Sequence, residues 1–281
     1  MVLGANNYGK AEVRLVHVRR ATPTHELTDL TVSVALAGDL AETHLTGDNA
    51  NVLPTDTQKN TVYAFARAGI GEVEAFGLAL ARHFVDSQPT IGTARIDLEQ
   101  HDWRRLGPHS FERDGGETRT ARVRYDGTRI EVSSGLTDLI LLNSTDSEFH
   151  GFIKDRYTTL PETRERILAT AVTAHWRHAG DDSDWAQSYA QTRRLLVEAF
   201  ADTYSLALQQ TLYAMGQRVL EQRPELVKVT LSLPNKHHFL VDLTPFGLDN
   251  PDEVYYAADR PYGLIEGTVR REDYQEVPWT F

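Results

Sequence analysis

The sequence contains no cysteine among its 281 residues. This absence excludes disulfide bonds, cysteine-ligated zinc, iron–sulfur clusters and catalysis by a thiol. Basic residues are in the minority, because 29 Lys and Arg stand against 40 Asp and Glu and leave a formal charge of −11. Such an acidic balance argues against a nucleic-acid-binding protein, which needs a basic face for the phosphates.

Long apolar runs and targeting segments are also missing. No stretch approaches the roughly 18 consecutive apolar residues of a membrane-spanning helix. The first seven residues lack the basic start and apolar run of a signal peptide, and the chain ends in Trp279, Thr280 and Phe281, which is not a peroxisomal address. We therefore expect a cytoplasmic protein. The length of 281 residues predicts about two domains, or one large domain.

Several common motifs are absent too. The sequence has no Gly-x-Gly-x-x-Gly, no Walker loop, no Gly-x-Ser-x-Gly and no His-Glu-x-x-His. The nearest approach to a metal-binding pattern is the pair His175 and His178. On a strand these positions face opposite sides, so we interpret them as surface or half-buried histidines and expect no metal site.

The first half of the sequence predicts strands, then two consecutive helices, then strands again. Residues 8–18 and 30–36 alternate like strands, and residues 91–99 resume the alternation after the helices. We expect Asp56 or Thr57 to cap the first helix. The second helix carries an apolar stripe that is formed by Val73, Phe76, Leu80 and Phe84.

The second half follows the same order of elements. Residues 136–142 predict an apolar strand that is buried on both faces. Ser183 or Asp184 is expected to cap the first of two helices. Residues 226–233 and 238–243 then predict two further strands.

This weak internal repeat predicts the fold class. Strands and helices come in runs and do not alternate, which favours an α+β fold over a parallel α/β fold. We expect antiparallel sheets with a pair of helices on one face. The repeat divides the chain into a first domain at residues 1–135 and a second domain at residues 136–281.

Three short segments carry a more specific pattern. They are Tyr8-Gly9-Lys10, then Thr55-Asp56 followed by Lys59-Asn60-Thr61, and later Leu233-Pro234-Asn235-Lys236-His237. Segments at residues 143–152, 155–160, 162–168 and 208–213 agree with them. In combination and in this order, they resemble the urate oxidase (uricase) family over residues 7–270.

The resemblance implies both a fold and a reaction. The fold is the tunnelling fold, or T-fold, in which two tandem domains per chain contribute to a barrel closed by two subunits. Two barrels then stack into a homotetramer. The reaction is the oxidation of urate by dioxygen and water to 5-hydroxyisourate and hydrogen peroxide in purine degradation, without a metal or organic cofactor. The absence of a peroxisomal address indicates a bacterial, cytoplasmic form.

The resemblance also implies the residues that bind urate. Arg166 matches a guanidinium that holds one edge of the flat anion, where its planar donors make two parallel bonds. Gln209 matches an amide at the other edge, and Phe149 matches a ring that stacks on the face. Asp56 and Leu208 match positions that make backbone contacts.

The catalytic group implied by the resemblance is Lys10, Thr55 and His237. A lysine can act as a base once burial or a neighbouring cation has lowered its pKa. Lys10 would take a proton from urate through the Thr55 hydroxyl, which can donate and accept, and His237 would share it. Asn235 and Thr55 match the pair that binds dioxygen and later water. In the family Lys10 and Thr55 come from one subunit and the other residues from its neighbour.

Plainer interpretations stand beside these. Taken alone, Arg166 could form an ion pair with Glu162 or Glu165, Gln209 could be a solvated helix residue, and Phe149 could belong to the core. A zinc-dependent pterin or purine enzyme of the same fold is disfavoured by the lack of cysteine. A purine-binding scaffold protein of the same fold could dispense with Lys10 and Thr55, so the presence of both favours an enzyme.

Overall fold

A computed structural model describes residues 1–279. Thr280 and Phe281, which end the predicted second domain and the expected address-free tail, lie outside the described residues. The elements are β1 (Tyr8–Arg19), β2 (Glu26–Gly38), α1 (Ala41–Leu45), α2 (Thr55–Ala68), α3 (Val73–Asp86), β3 (Ile91–Gln100), β4 (Trp103–Arg105), β5 (Phe111–Arg113), β6 (Thr118–Tyr125), β7 (Ile130–Asn143), β8 (Leu168–His178), α4 (Trp185–Asp202), α5 (Leu208–Gln222), β9 (Leu226–Leu240), a 3₁₀ helix (Thr244–Phe246) and β10 (Tyr255–Arg270).

Eight of the strands form one sheet in the order β1-β2-β3-β6-β7-β8-β9-β10. Every neighbouring pair is antiparallel. Since β7 pairs with β8, the strands of the two halves continue into each other, and β4 and β5 form a separate hairpin. The prediction of an α+β fold with antiparallel pairing is confirmed.

The hydrophobic core lies between the sheet and the helices. Along β3, buried Ile96 and Leu98 alternate with the less buried Asp97, so one face of the strand is apolar and the other is polar. The core consists of two clusters of buried residues. One is drawn from residues 13–132 together with Trp185, and the other from residues 136–233.

The first strand of each half contains the same irregularity. In β1 the register with β2 shifts after Lys10, and Glu12 has a φ of 56°. In β7 the register with β8 shifts after Leu136, and Asp138 has a φ of 63°. Non-glycine residues rarely adopt positive φ, and extra residues of this kind form β-bulges that re-aim their neighbours. The repeat seen in the sequence pattern therefore has a counterpart in the backbone.

Helix starts were predicted with mixed success. The carboxylate of Asp184 accepts a backbone N–H of the first turn of α4, as predicted. The prediction that Asp56 or Thr57 caps α2 is wrong, because the helix begins at Thr55 and Pro54 holds the cap position without a side-chain hydrogen bond. The first backbone N–H groups of α2 thus lack an intrahelical acceptor.

The predicted strand at residues 136–142 is part of the longer β7. Ile140 and Leu142 are 66% and 51% exposed, so the expectation of burial on both faces is wrong for a single chain. The strand does have apolar side chains on both faces, as the sequence indicates. Only one face packs against other described residues of the same chain.

The predicted strands at residues 226–233 and 238–243 are also revised. Residues 226–240 form one strand, β9, which runs through Pro234, and residues 241–243 lie beyond its end. Proline has no N–H to donate, and the ladder to β8 accordingly skips from Ser232 to Asn235. The following strand, β10, was not predicted, and its register with β9 shifts between Ala258 and Gly263.

A buried polar network lies where the two halves meet. The Ser134 hydroxyl donates to Glu74 Oε1 at 2.6 Å and lies 2.9 Å from His178 Nε2. Arg119 donates to the other oxygen of Glu74 at 2.7 Å, and the ring of Trp185 packs edge-on against His178 at 4.8 Å. Burial is the main cause that lowers the pKa of His178 to about 4.

This network predicts a pH-dependent stability. In the unfolded chain His178 becomes protonated below about pH 6.5, whereas in the folded protein it becomes protonated only below about pH 4. The free energy of unfolding should therefore fall as the pH drops through this window, by about 3 kcal/mol from this residue. Urea unfolding at pH 7, 6, 5 and 4 measures the slope.

The slope is best read as a difference between variants. Burial raises the pKa of Glu74, so protonation of Glu74 stabilises the folded protein as the pH falls and opposes the effect of His178. The contribution of His178 is therefore obtained by comparing wild type with His178→Gln. We expect a shallower slope for His178→Gln and a wild-type slope for His109→Gln, whose ring is exposed. Equal slopes in all three proteins would contradict the prediction.

Candidate active site

One cavity of about 480 Å³ brings together six of the nine predicted site residues. We call them the pocket residues: Phe149, Arg166, Leu208, Gln209, Asn235 and His237. They come from the loop before β8, the start of α5 and the second half of β9. These segments are far apart in sequence, so their convergence is a property of the fold.

Arg166 lies just before β8 and turns its guanidinium towards the cavity wall. Its Nε donates to the hydroxyl of Ser147 at 3.0 Å, and Ser147 is fully buried. No carboxylate within residues 1–279 forms an ion pair with Arg166, so the alternative of a pair with Glu162 or Glu165 is wrong. Burial lowers the pKa of Arg166, but an arginine remains charged at neutral pH. The two terminal nitrogens thus remain for a ligand.

Phe149 forms one wall beside this cation. Its ring lies 5.3 Å from the Arg166 guanidinium carbon, and its backbone pairs with Thr163 in both directions. The ring stacks on Phe152 at 4.9 Å and is only partly buried. The interpretation of Phe149 as an ordinary core residue is therefore wrong, because the residue is only partly buried and lines the cavity.

The start of α5 forms a second wall. Leu208 is buried, Gln209 is exposed, and Ala207 at the cap position makes no side-chain hydrogen bond. The N–H groups of the first helical residues have no intrahelical acceptor, and the helix dipole makes this end partly positive. Together with Arg166, this end of α5 favours an anion with hydrogen-bonding edges.

Asn235 and His237 complete the pocket from β9. The ring of His237 stacks on Phe239 at 5.8 Å. Burial lowers the pKa of His237, and the positive charge of Arg166 adds to the effect. Since an ordinary histidine already titrates near 6.5, His237 is neutral at pH 7 and is able to accept a proton.

The other three predicted site residues, Lys10, Thr55 and Asp56, do not line this cavity. We call them the Lys10 group. Thr55 and Asp56 begin α2, and Lys10 lies on β1, which packs against α2. The pKa of Asp56 is held below its usual value chiefly by Lys59, and Lys10 adds a weaker electrostatic effect in the same direction. The three residues thus share one neighbourhood.

The sheet separates the two sets of residues. β1 and β9 are six strand positions apart in the order of the sheet, which corresponds to about 29 Å along its width. The pocket residues lie near the β10 edge and the Lys10 group lies at the β1 edge. Sequence reasoning predicted both sets, but it missed Ser147, whose role is visible only from its burial beside Arg166.

Comparison with known proteins shows which family the chain belongs to. The sequence model of the family named Uricase matches residues 6–125 and 132–266. The chain belongs to the uricase family. A uricase from Arthrobacter globiformis is 54% identical, with 97% of this chain and 91% of that protein covered. A uricase from Dictyostelium discoideum is 36% identical, with 95% and 96% covered.

Solved structures of uricases share the fold. The crystal structure of the uricase from Arthrobacter globiformis superposes with a TM-score of 0.97 at 52% identity and covers 99% of this chain and 98% of its own. The urate oxidase of Bacillus sp. TB-90 has a TM-score of 0.82 at 24% identity and supports the fold alone. The α+β arrangement of this chain is therefore shared with both of these uricases.

Two further observations concern metals and membranes. Within residues 1–279, no three His, Asp or Glu side chains are grouped so that they could hold a metal ion. His175 is exposed and His178 is buried, which agrees with opposite faces of β8. No helix in the described part of the chain is long and apolar enough to cross a membrane.

Proposed function

We propose that this uricase-family protein oxidises urate with dioxygen and water to 5-hydroxyisourate and hydrogen peroxide, without a cofactor, in purine degradation. One observation supports this above the others: Arg166, Phe149 and Gln209 line a single cavity in a member of the uricase family. A guanidinium, a ring face and an amide are the three groups that a flat, anionic purine requires.

Substrate binding follows from these groups. The free nitrogens of Arg166 hold one edge of urate by charge-assisted hydrogen bonds, each contributing on the order of 1.5–3 kcal/mol. Gln209 offers a carbonyl and an NH₂ to the opposite edge. Stacking on Phe149 contributes about 1–3 kcal/mol, by analogy with bases on aromatic rings. The backbones at Leu208 and Asp56 complete the contacts.

Proton transfer is assigned to Lys10, Thr55 and His237. Lys10 takes a proton from bound urate through the Thr55 hydroxyl, and neutral His237 shares that proton. Asn235 and Thr55 hold dioxygen above the ring and later the water that replaces peroxide. Urate loses two electrons, dioxygen gains them with two protons as hydrogen peroxide, and the oxygen of water is retained in the product.

This mechanism requires the Lys10 group and the pocket residues to meet. We propose that they meet between subunits of a homotetramer, in which paired chains close a barrel and each chain contributes two T-fold domains, at residues 1–135 and 136–281. The two core clusters and the repeated bulge support the two-domain division. The exposed apolar side chains of Ile140 and Leu142 support a covered surface.

The direct test follows the ultraviolet absorbance of urate with metal-free protein, in air and under argon. We expect the band to disappear in air only, with one hydrogen peroxide formed for each urate consumed. Binding of urate without turnover in air would instead indicate a purine-binding protein of the same fold. Turnover that requires an added metal ion would overturn the cofactor-free reaction.

A further inference from the structure

Tyr8 makes an unusual pair of hydrogen bonds with a single backbone residue. Its hydroxyl donates to the carbonyl oxygen of Leu53 at 3.0 Å and accepts the N–H of Leu53 at 2.9 Å. The side-chain amide of Gln58, which is fully buried, donates to the same carbonyl at 3.2 Å. We call this arrangement the Tyr8–Leu53 contact. It joins β1 to the segment that leads into α2.

The contact sits between two residues of the Lys10 group. Side chains two residues apart on a strand point to the same face, so Tyr8 and Lys10 both face α2. Leu53 is two residues before Thr55, where α2 begins. The hydroxyl of Tyr8 therefore fixes the distance between the strand that carries Lys10 and the helix end that carries Thr55.

The residue between Tyr8 and Lys10 supports this interpretation. A Cβ atom at Gly9 would lie 1.8 Å from the carbonyl oxygen of Val34 on β2, so only glycine allows this approach of the strands. The bulge after Lys10 is held by a hydrogen bond from the Glu12 N–H to the Ser33 hydroxyl at 2.9 Å. The strand is thus constrained on both sides of Lys10.

We propose that Tyr8 is a positioning residue for the reaction, which sets Lys10 and Thr55 at the separation that proton transfer requires. The proposal rests on the proposed function, because it assigns Tyr8 a role through the proton-transfer group. Tyr8 does not line the cavity of the pocket residues, and it acts through Lys10 and Thr55. A displacement of about 1 Å of a catalytic group can cost 100-fold in rate.

The test compares Tyr8→Phe with wild type. We expect kcat to fall about 10- to 100-fold, whereas the Kd for urate measured under argon changes less than about threefold. The matched control is Tyr125→Phe. Tyr125 lies on β6, and its hydroxyl donates a hydrogen bond of the same length, 3.0 Å, to the carboxylate of Asp86. The control should retain wild-type kcat. An unchanged kcat in folded Tyr8→Phe would overturn the proposal.

A double variant separates positioning from general destabilisation. If Tyr8 acts through Lys10, adding Tyr8→Phe to Lys10→Met should not lower the residual rate further, whereas an additional loss would refute this route. Gln58→Met removes the other side-chain donor to the carbonyl of Leu53 and should lower kcat less than Tyr8→Phe does. This variant replaces Tyr8→Phe in the test if Tyr8→Phe does not fold. A full kcat in Gln58→Met would then count against the proposal.

Two different results would separate failure of the proposed function from failure of the role proposed for Tyr8. Wild-type protein that neither binds nor oxidises urate would refute the proposed function itself. Wild-type protein that oxidises urate, beside a Tyr8→Phe variant with the same kcat, would refute only the role of Tyr8.

Discussion

Replacement of Arg166 by glutamine should weaken urate binding by about 100- to 1000-fold at neutral pH. The variant loses two charge-assisted hydrogen bonds of at least about 1.5 kcal/mol each, and a 100- to 1000-fold change in Kd corresponds to about 3–4 kcal/mol. The loss is large because Arg166 has no carboxylate partner of its own in the described chain and presents its terminal nitrogens to the cavity. Titration of urate under argon measures Kd without turnover.

Two neighbouring variants define the specificity of that effect. Arg164→Gln removes an equal charge two residues away, where the side chain is 77% exposed, and should leave Kd nearly unchanged. Arg166→Lys keeps the charge but loses the planar fork and the hydrogen bond to Ser147, so an intermediate Kd is expected. Equal affinities for Arg166→Gln and Arg164→Gln would show that urate binds elsewhere.

The elements that sequence reasoning predicted well depend on local pattern. The apolar stripe through Val73 and Phe84 is buried in α3, and Asp184 caps α4, because both features are set within a few residues of the chain. The prediction of the cap residue of α2 was wrong. Pro54 takes the cap position, although proline is favoured one position later, so Asp56 becomes the second residue of the helix. There its carboxylate lies at the positive end of the helix dipole.

The site was predictable in part, and the limit is again physical. The resemblance to the uricase family implied Arg166, Phe149 and Gln209 as urate-binding residues, and the fold brings all three to one cavity. Ser147 and Tyr8 act through hydrogen bonds to distant parts of the chain, at separations of 19 and 45 residues. Neither residue type signals such a role, which depends on what the fold places beside it.

The position of the Lys10 group relative to the pocket residues is a separate question, and the edges of the sheet bear on it. β1 and β10 are 12 and 16 residues long, and each has a neighbour on one side only in the described chain. Long open edges are prone to pair with another chain. Lys10 lies on the β1 edge strand, and His237 lies on β9 beside the β10 edge strand. Pairing of two copies along these edges would bring the two sets together.

Mixing two inactive variants should therefore restore activity. Lys10→Met and Arg166→Gln, purified separately, should each show a loss of about 100-fold or more. In tetramers formed by co-expression or joint refolding, some sites receive an intact Lys10 from one chain and an intact Arg166 from the other. With random assembly, about a quarter of the sites are intact, so about a quarter of the wild-type kcat should return.

The matched control uses two lesions from the same set of residues. Lys10→Met mixed with Thr55→Ala leaves every Lys10 group damaged, whichever chains assemble, and should restore nothing. Phe149→Ala mixed with Arg166→Gln damages every pocket in the same way. No recovery when Lys10→Met meets Arg166→Gln in verified mixed tetramers would show that each site is built within one chain. Recovery in a control mixture would instead show that residues of one set come from different chains. Recovery in the test mixture alone requires that the two sets of residues meet between chains, since no single chain in it carries both intact sets.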